Sequence, residues 1–169
     1  NAILRLSRVN AGAEGTLVPL DLSELCEELA ELFEPACEDD GITFVAAIEP
    51  DLTLPGDRTL LAQAISNLLD NAVKYTPSGQ SISFKVGRAF GKIEISVIDT
   101  GPGIPEAERA KVFARFYRVH QQGQGAGLGL AIVGEIVRAH RATIELDQGA
   151  LGGLLVKVRF PPPAPDSVD

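Results

Sequence analysis

Helical and strand-like apolar patterns alternate only a few times along this chain, and their order limits the folds it can adopt. Helical spacing predicts long helices from about Asp21 to Gly41, from Asp57 to Tyr75 and over residues 128–140. Strand patterns cover residues 42–48, 81–86, 92–98, 143–146 and 154–160, and residues 50–56 are predicted to form a loop. These units are too few for a doubly wound parallel sheet. We therefore expect an α+β two-layer domain, with a mixed sheet of about five strands and three helices on one face.

Local signals predict how these elements begin and end. Asp21, with Glu24 three residues later, is the expected N-cap of the first helix, and Asp57 is the expected N-cap of the second. Pro35 should kink or loosen the last turns of the first helix. Phe90-Gly91 between two alternating segments indicates a hairpin.

Composition excludes several classes of protein. The hydrophobic fraction of 45% supports a real core, while the formal charge of −8 argues against a nucleic-acid binder. No apolar run reaches the roughly 18 residues that a membrane span needs. Cys26 and Cys37 lie on one predicted helix about 16 Å apart, too far for a disulfide, so both are expected to be reduced, as in the cytoplasm.

The chain ends suggest a piece of a longer protein, because no methionine is present. We expect residues 1–14 to be the end of an upstream helix and residues 15–160 to form the main domain. Residues 161–169, PPPAPDSVD, are expected to be a disordered tail.

Two asparagines interrupt the second predicted helix. Asn67, Asn71 and Lys74 follow one another at spacings of four and three residues, which places them on one side of the helix. Asparagine costs up to about 0.7 kcal/mol relative to alanine in a helix, and a solvated face would explain a single one. Two amides aligned with a lysine favour a site instead. An amide oxygen suits Mg²⁺ that keeps its waters and bridges phosphates, and the lysine can contact a phosphate.

Two loops supply further candidate positions. In Asp99-Thr100-Gly101-Pro102-Gly103, the carboxylate could accept a hydrogen bond from an exocyclic amine and the glycines would let a flat ring approach the backbone. Ordinary turn chemistry is the alternative there. Residues 123–133, GQGAGLGLAIV, lead into a helix N-terminus whose N–H groups suit an anion such as a triphosphate. A flexible linker is the alternative for that segment.

Taken in order, these motifs resemble those of one protein family. NLLDNAVKYTPSG, DTGPGIP, FARFYR and GAGLGLAIVGEIVRAH resemble the asparagine, first glycine, phenylalanine and second glycine boxes of the catalytic ATP-binding domain of bacterial sensor histidine kinases. These domains belong to the GHKL group with the Bergerat fold, and the resemblance covers about residues 20–160. Upstream, LRLSRVNAG resembles the end of the dimerisation and phosphoacceptor domain.

The resemblance implies Mg-ATP as the ligand and assigns roles residue by residue. Asn71 matches the magnesium-coordinating asparagine, and Asn67 and Lys74 match phosphate-side positions, so these three are the candidate catalytic residues. Asp99 matches the carboxylate that recognises the adenine amine, and Tyr75 matches the aromatic side chain against the nucleotide. The other implied nucleotide-site or box positions are Gly101, Gly103, Ile104, Phe113, Phe116, Arg118, Gly125, Ala126, Gly127, Leu128 and Gly129.

Some positions depart from the family pattern. The lid between Tyr117 and Gly125 is short and carries no lysine or arginine, where many relatives place a cation that reaches the phosphates. Ala126 stands where threonine or serine is common, and Arg141 stands where glycine is usual, which should affect a turn more than the chemistry. The short lid is similar to that of sensors that work with winged-helix, OmpR-like regulators.

Asn67 separates phosphoryl transfer from hydrolysis. Hydrolytic relatives of the gyrase, mismatch-repair and Hsp90 types place a glutamate at this position as a base for water, and an amide has no useful basicity near pH 7. The resemblance therefore implies a protein-histidine kinase domain. Such a domain transfers the γ-phosphate of ATP to a histidine of its own upstream domain, for onward transfer to an aspartate of a response regulator.

The two histidines lack the family's acceptor context, which is a histidine followed by an acidic residue. His120 precedes Gln121 in the lid. His140 precedes Arg141 at a helix end, and we expect both histidines to be exposed. The chain alone should therefore bind Mg-ATP or ADP but not autophosphorylate. Because dimerisation in the resembled family rests on upstream helices, we also expect the chain to be mostly monomeric.

The parent protein is expected to be a homodimer in the bacterial inner membrane, with this domain in the cytoplasm. An anti-sigma-factor serine kinase and a catalytically silent nucleotide-sensing module remain alternatives.

Overall fold

The computed structural model describes residues 17–101, 106–109, 128–149 and 152–162. Its elements follow one another in the order β1 (Val18–Asp21), α1 (Leu22–Asp39), β2 (Thr43–Ile48), β3 (Thr53–Gly56), α2 (Arg58–Tyr75), β4 (Ser81–Ala89), β5 (Lys92–Asp99), α3 (Glu106–Arg109), α4 (Leu128–Ala139), β6 (Thr143–Gln148) and β7 (Leu154–Arg159).

A mixed five-stranded sheet forms one layer, with the strand order β2-β4-β5-β7-β6. β2 pairs in parallel with β4, and the other neighbours are antiparallel. Phe84, Val97 and Val156 stand side by side in register and are buried on one face. They share a continuous core with apolar residues of α1, α2 and α4. The predicted two-layer α+β architecture is therefore confirmed.

A second, two-stranded sheet was not predicted. β1 pairs antiparallel with β3, and Leu20 lies opposite Leu54 with both side chains buried. The prediction of a loop over residues 50–56 is wrong for Thr53–Gly56. These strands are short and place Pro19 opposite Pro55, so local propensity disfavours them. Long-range pairing and burial stabilise them instead.

The helix N-caps match the sequence signals. Asp21 accepts a hydrogen bond from the Glu24 N–H at 3.0 Å, and Asp57 accepts one from the Leu60 N–H at 3.0 Å. α1 continues through Pro35 to Asp39 as one helix of 18 residues, so the proline does not end it. No helix in the described ranges combines the length and apolar character that crossing a bilayer would require.

Cys26 and Cys37 are both buried free thiols, in agreement with the prediction of two reduced cysteines. Burial, with a smaller contribution from Glu27, raises the pKa of Cys26 to about 12. A thiol of this kind stays protonated near neutral pH and packs as a small apolar side chain.

Candidate functional site

The polar stripe predicted on α2 is present. Asn67 and Asn71 are half-buried, Lys74 is about half exposed, and all three lie on one side of the helix, at the edge of its buried apolar face. The buried positions are Leu60, Leu61, Ala64, Ile65, Leu68, Leu69 and Ala72. The helical spacing read from the sequence thus placed these side chains correctly.

Neighbouring side chains occupy part of this stripe. Gln63 Nε2 donates to Asn67 Oδ1 at 2.9 Å, and Lys74 Nζ lies 3.0 Å from Asp70 Oδ2. No residue in the described part of the chain hydrogen-bonds the side-chain amide of Asn71. Sequence reasoning did not single out Gln63 or Asp70, although the four-residue spacing of each pair was visible.

Asp99 ends β5 as a buried carboxylate that the backbone holds in place. Its Oδ1 accepts hydrogen bonds from the Gly101 N–H at 2.9 Å and from the Leu154 N–H at 3.2 Å. Burial raises the pKa of the Asp99 carboxyl, and the two backbone hydrogen bonds partly offset that rise. Neither bond involves Oδ2, so one oxygen is anchored and the other can accept from a ligand.

Two glycines are required by close backbone approaches around Asp99. A Cβ on Gly101 would lie 2.5 Å from the Tyr75 carbonyl oxygen, and a Cβ on Gly153 would collide with the Asp99 carbonyl oxygen. The protein's own packing is therefore sufficient reason for glycine at position 101. Sequence reasoning did not identify Gly153 and Leu154 as neighbours of Asp99. The Gly152-Gly153 pair before the last strand was the only signal that pointed to a close backbone approach there.

These contacts bring together three distant parts of the chain. The C-terminal end of α2, the end of β5 and the start of β7 meet at Tyr75, Asp99 and Gly153. The hydroxyl of Thr76, directly after Tyr75, is buried and has no hydrogen-bond partner among the described residues. An unpaired buried hydroxyl costs about 1–3 kcal/mol, so a water or ligand atom would be stabilising there.

The structure corrects the expectation that His140 is exposed. His140 is only 4% exposed, and its Nε2 accepts a hydrogen bond from the Asp57 N–H at 3.1 Å. The Nδ1–H therefore donates to the Ile136 carbonyl oxygen, 2.8 Å away. Burial lowers the pKa of His140, which keeps the ring neutral. This side chain joins the end of α4 to the start of α2 and has a structural role.

Magnesium binding at this site would not rest on a cluster of protein ligands. The described residues contain no cluster of three or more histidine, cysteine or acidic side chains able to hold a metal. Mg²⁺ commonly binds through one or two protein oxygens together with water and substrate phosphates. The half-buried amide of Asn71 fits that mode of binding.

Many predicted site residues lie outside the described ranges. These are Gly103, Ile104, Phe113, Phe116, Arg118, Gly125, Ala126 and Gly127, together with His120. Leu128 and Gly129 form the first turn of α4. Their roles therefore stay predictions.

The described elements form a two-layer α+β domain with a mixed five-stranded sheet. The chain belongs to the family of histidine kinase-, DNA gyrase B- and HSP90-like ATPases, whose model matches residues 56–164. Within that family its relatives are sensor histidine kinases, and the chain is their catalytic ATP-binding domain.

Three relatives illustrate this similarity. The adaptive-response sensory kinase SasA of Rippkaea orientalis is 37% identical over 132 residues, which cover 76% of this chain and 34% of SasA. The structure of the mycobacterial sensor histidine kinase MprB has 31% identity and a TM-score of 0.77, covering 85% of this chain and 97% of that one. Full-length ShkA, crystallised with AMPPNP, has 33% identity and a TM-score of 0.77 over 95% of this chain and 34% of its own.

The chain thus spans about a third of the length of SasA. Because these relatives are sensor kinases, the anti-sigma serine kinase alternative is not favoured.

Proposed function

We propose that this domain binds Mg-ATP and, within its parent protein, transfers the γ-phosphoryl group to a histidine of an upstream phosphoacceptor domain. The observation that carries this proposal is Asn67, a half-buried amide on the phosphate-side stripe of α2. A hydrolytic enzyme would need a base for water at this position, and an amide cannot take up the proton. Transfer relies mainly on positioning and charge neutralisation, which this site can provide.

At one end of the site, Asp99 would recognise adenine. Its Oδ2 would accept a hydrogen bond from the exocyclic amine, while the N–H groups of Gly101 and Leu154 hold Oδ1. The half-exposed ring of Tyr75 would lie against the nucleotide. Because the carboxylate is buried, leaving its second oxygen, Oδ2, without a donor is costly, and this favours a ligand that brings one.

At the other end, α2 and α4 would hold the triphosphate. Asn71 would supply an amide oxygen to magnesium, which when bound neutralises charge on the β- and γ-phosphates. Lys74 would exchange its contact with Asp70 for a phosphate oxygen, at little cost because that ion pair is exposed. The N-terminus of α4 and the glycines at positions 125, 127 and 129 would donate backbone N–H groups.

The domain boundaries, the downstream partner and the location of the parent protein complete the proposal. Residues 1–14 would end the phosphoacceptor domain, residues 15–160 would form the catalytic domain, and residues 161–169 would be a tail. The phosphohistidine would pass its phosphoryl group to an aspartate of a response regulator. The short lid supports a regulator of the OmpR-like type. The parent would be a homodimer in the inner membrane, with this domain in the cytoplasm.

Phosphoryl transfer from γ-labelled ATP tests the proposal. We expect the parent protein, or the chain with its upstream segment restored, to become labelled on histidine, with an acid-labile and base-stable bond. The chain alone should bind ATP without becoming labelled. Labelling of the isolated chain on His120 or His140, or sustained phosphate release by it, would contradict the proposal.

A further inference from the structure

His140, at the end of α4, completes the N-cap of α2. In a capping box, the side chain of the third helical residue accepts a hydrogen bond from the N–H of the N-cap residue. The third residue of α2 is Leu60, whose side chain has no acceptor. His140 Nε2 accepts this hydrogen bond instead, 3.1 Å from the Asp57 nitrogen. A residue 83 positions away thus replaces the local acceptor.

Both nitrogens of the His140 ring are engaged. Its Nδ1–H donates to the Ile136 carbonyl oxygen, which belongs to the preceding turn of α4. His140 and Asp57 are both buried, so loss of the contact would leave the Asp57 N–H without bulk water to replace the ring. The hydrogen bonds therefore fix the end of α4 against the start of α2.

This junction sets the register of the two helices. α2 and α4 pack against each other and run in opposite directions from the junction. At 1.5 Å per residue, Asn67 and Asn71 lie about 15 and about 21 Å along α2 from Asp57, and α4 begins about 18 Å from His140. The start of α4 is therefore roughly level with the two asparagines. These are the elements proposed to hold the triphosphate.

We infer that His140 is a positioning residue for the phosphate end of the site, which sets the spacing between the N-terminus of α4 and the polar stripe of α2. This inference rests on the proposed function, because the spacing matters only if both helices hold the triphosphate. The adenine end is held by other contacts, from Gly101 and Leu154 to Asp99. Its affinity for a ligand without phosphates should therefore not depend on His140.

Calorimetric titration with AMPPNP and magnesium tests this inference with two substitutions. His140→Gln keeps an acceptor near the position of Nε2, whereas His140→Leu removes it. We expect the Kd to rise about three- to tenfold for His140→Leu and to change less than about twofold for His140→Gln. Adenosine lacks phosphates, and its Kd, measured by NMR titration, should change less than about twofold in both variants.

Val86→Ala controls for a general loss of stability. Val86 is a buried residue of β4, outside the two helices. The substitution removes two methyl groups from the core and should lower the unfolding temperature. The Kd for AMPPNP should nevertheless change less than about twofold. If His140 served stability alone, His140→Leu would affect the Kd no more than this control does.

The pH dependence of the affinity is a second readout, which does not require His140→Leu to fold. A protonated ring carries a hydrogen on Nε2 and cannot accept from the Asp57 N–H. Burial lowers the pKa of His140, so the ring becomes charged only below about pH 6.5. As the pH falls from about 7 to about 5.5, the Kd of the unmodified chain should rise at least about twofold more than that of His140→Gln. Protonation of the ligand is the same in both titrations.

The charged groups around the ring do not remove this difference. The Asp57 carboxylate faces the ring from α2 and only partly offsets the lowering of its pKa. Near the ring in sequence, Glu135 is half-buried and Arg138 and Arg141 are exposed. On β6, Glu145 pairs with Lys157 and Asp147 with Leu155, on the face of the sheet opposite the helices.

Four results would overturn the inference. These are an unchanged Kd for AMPPNP in His140→Leu, an equal rise in the Kd for adenosine, an equal effect of Val86→Ala, or the same pH profile in His140→Gln and the unmodified chain. All four leave the proposed function standing. If the unmodified chain failed to bind AMPPNP, the proposed function itself would fail, and the inference with it.

Discussion

The two ends of the proposed nucleotide site are built in different ways. The adenine end, formed by Asp99, Gly101 and Leu154, is buried or part-buried, and backbone N–H groups from two parts of the chain hold it. The phosphate end is the α2 stripe from Gln63 to Lys74, where the exposed side chains of Gln63 and Lys74 pair with neighbours four residues away. Such surface pairs contribute only about 0.3–0.5 kcal/mol each. The proposed base-recognition end is therefore preformed by the fold, whereas the side chains proposed to bind phosphate can rearrange at small cost.

The largest expected effect is the loss of binding in Asp99→Asn. The asparagine oxygen should keep the hydrogen bonds from Gly101 and Leu154, which turns its N–H₂ group towards the adenine amine, donor against donor. We expect ATP affinity to fall about 100-fold, for a loss of about 3 kcal/mol. Calorimetry with and without magnesium measures this effect, which should appear in both conditions.

The same variant has a separate stability readout. Burial raises the folded-state pKa of Asp99, so this group stabilises the fold at low pH and loses that contribution as the pH rises through the folded value. At pH 7 the neutral asparagine should therefore leave the unfolding temperature unchanged or raise it. A marked fall in that temperature would show that the anchored carboxylate is structurally required.

Asn71→Ala should affect only the phosphate end. The alanine removes the proposed metal ligand from a half-buried helix position, so the fold should persist. We expect magnesium to lose its effect on nucleotide affinity, a fall of about tenfold or more that leaves the magnesium-independent part unchanged. Titrations at several magnesium concentrations measure this, and an unaltered magnesium dependence would contradict the assignment of Asn71.

Gly153→Ala should damage the adenine end through the backbone. The added methyl group would collide with the Asp99 carbonyl oxygen, so the strands must separate, and we expect a loss of about 2 kcal/mol in unfolding free energy. Urea denaturation measures it. In the control Gly87→Ala, the new methyl group would meet only the flexible Glu49 carboxylate, and a change below about 0.5 kcal/mol is expected. Equal losses in the two variants would contradict this explanation.

His140 lies away from both ends of the site and should make the unfolding free energy depend on pH. Its pKa is lowered in the fold, so its contribution is present above the unfolded value of about 6.5 and is lost as the pH falls through the folded value. The unfolding free energy should fall by at most about 1.4 kcal/mol per pH unit below pH 6.5. The fall should be weaker in His140→Asn and should persist in the control His120→Gln. An unchanged slope in His140→Asn would exclude this role.

Arg141→Gly should give the smallest effect, and it should be a gain. Arg141 has φ of 57°, in the left-handed region where a side chain is strained, as expected for a position where the family usually has glycine. Glycine should raise the unfolding free energy by about 0.5–1 kcal/mol with no change in nucleotide affinity. The control Arg138→Gly, within α4, should instead lower it by about 1 kcal/mol. A loss of stability in Arg141→Gly would contradict the strain argument.

Local sequence patterns were sufficient to predict most helices and strands and the positions of the polar residues on α2. Asp21 and Asp57 cap their helices because capping involves residues only three positions apart. The hairpin turn at Phe90-Gly91 forms as predicted, with both residues at positive φ. Asn67, Asn71 and Lys74 share one side because helical periodicity alone decides it.

Features that depend on residues far apart in the sequence could not be predicted from local patterns. Three contacts join segments tens of residues apart. These are the β1–β3 pair, the hydrogen bond between the Asp57 N–H and His140, and the hydrogen bond from the Leu154 N–H to Asp99. In each case a weak or misleading local signal is overruled by burial and hydrogen bonding to a remote partner.

The sequence by itself determined the family, the helices and strands, and the side of α2 on which the polar residues lie, because these follow from motifs and short-range periodicity. Only the tertiary structure decided that one oxygen of Asp99 is anchored, that Gly153 must be glycine and that Gln63 donates to the amide oxygen of Asn67. The reason is physical: hydrogen-bond direction and close backbone approach depend on three-dimensional geometry, which residue spacing does not encode.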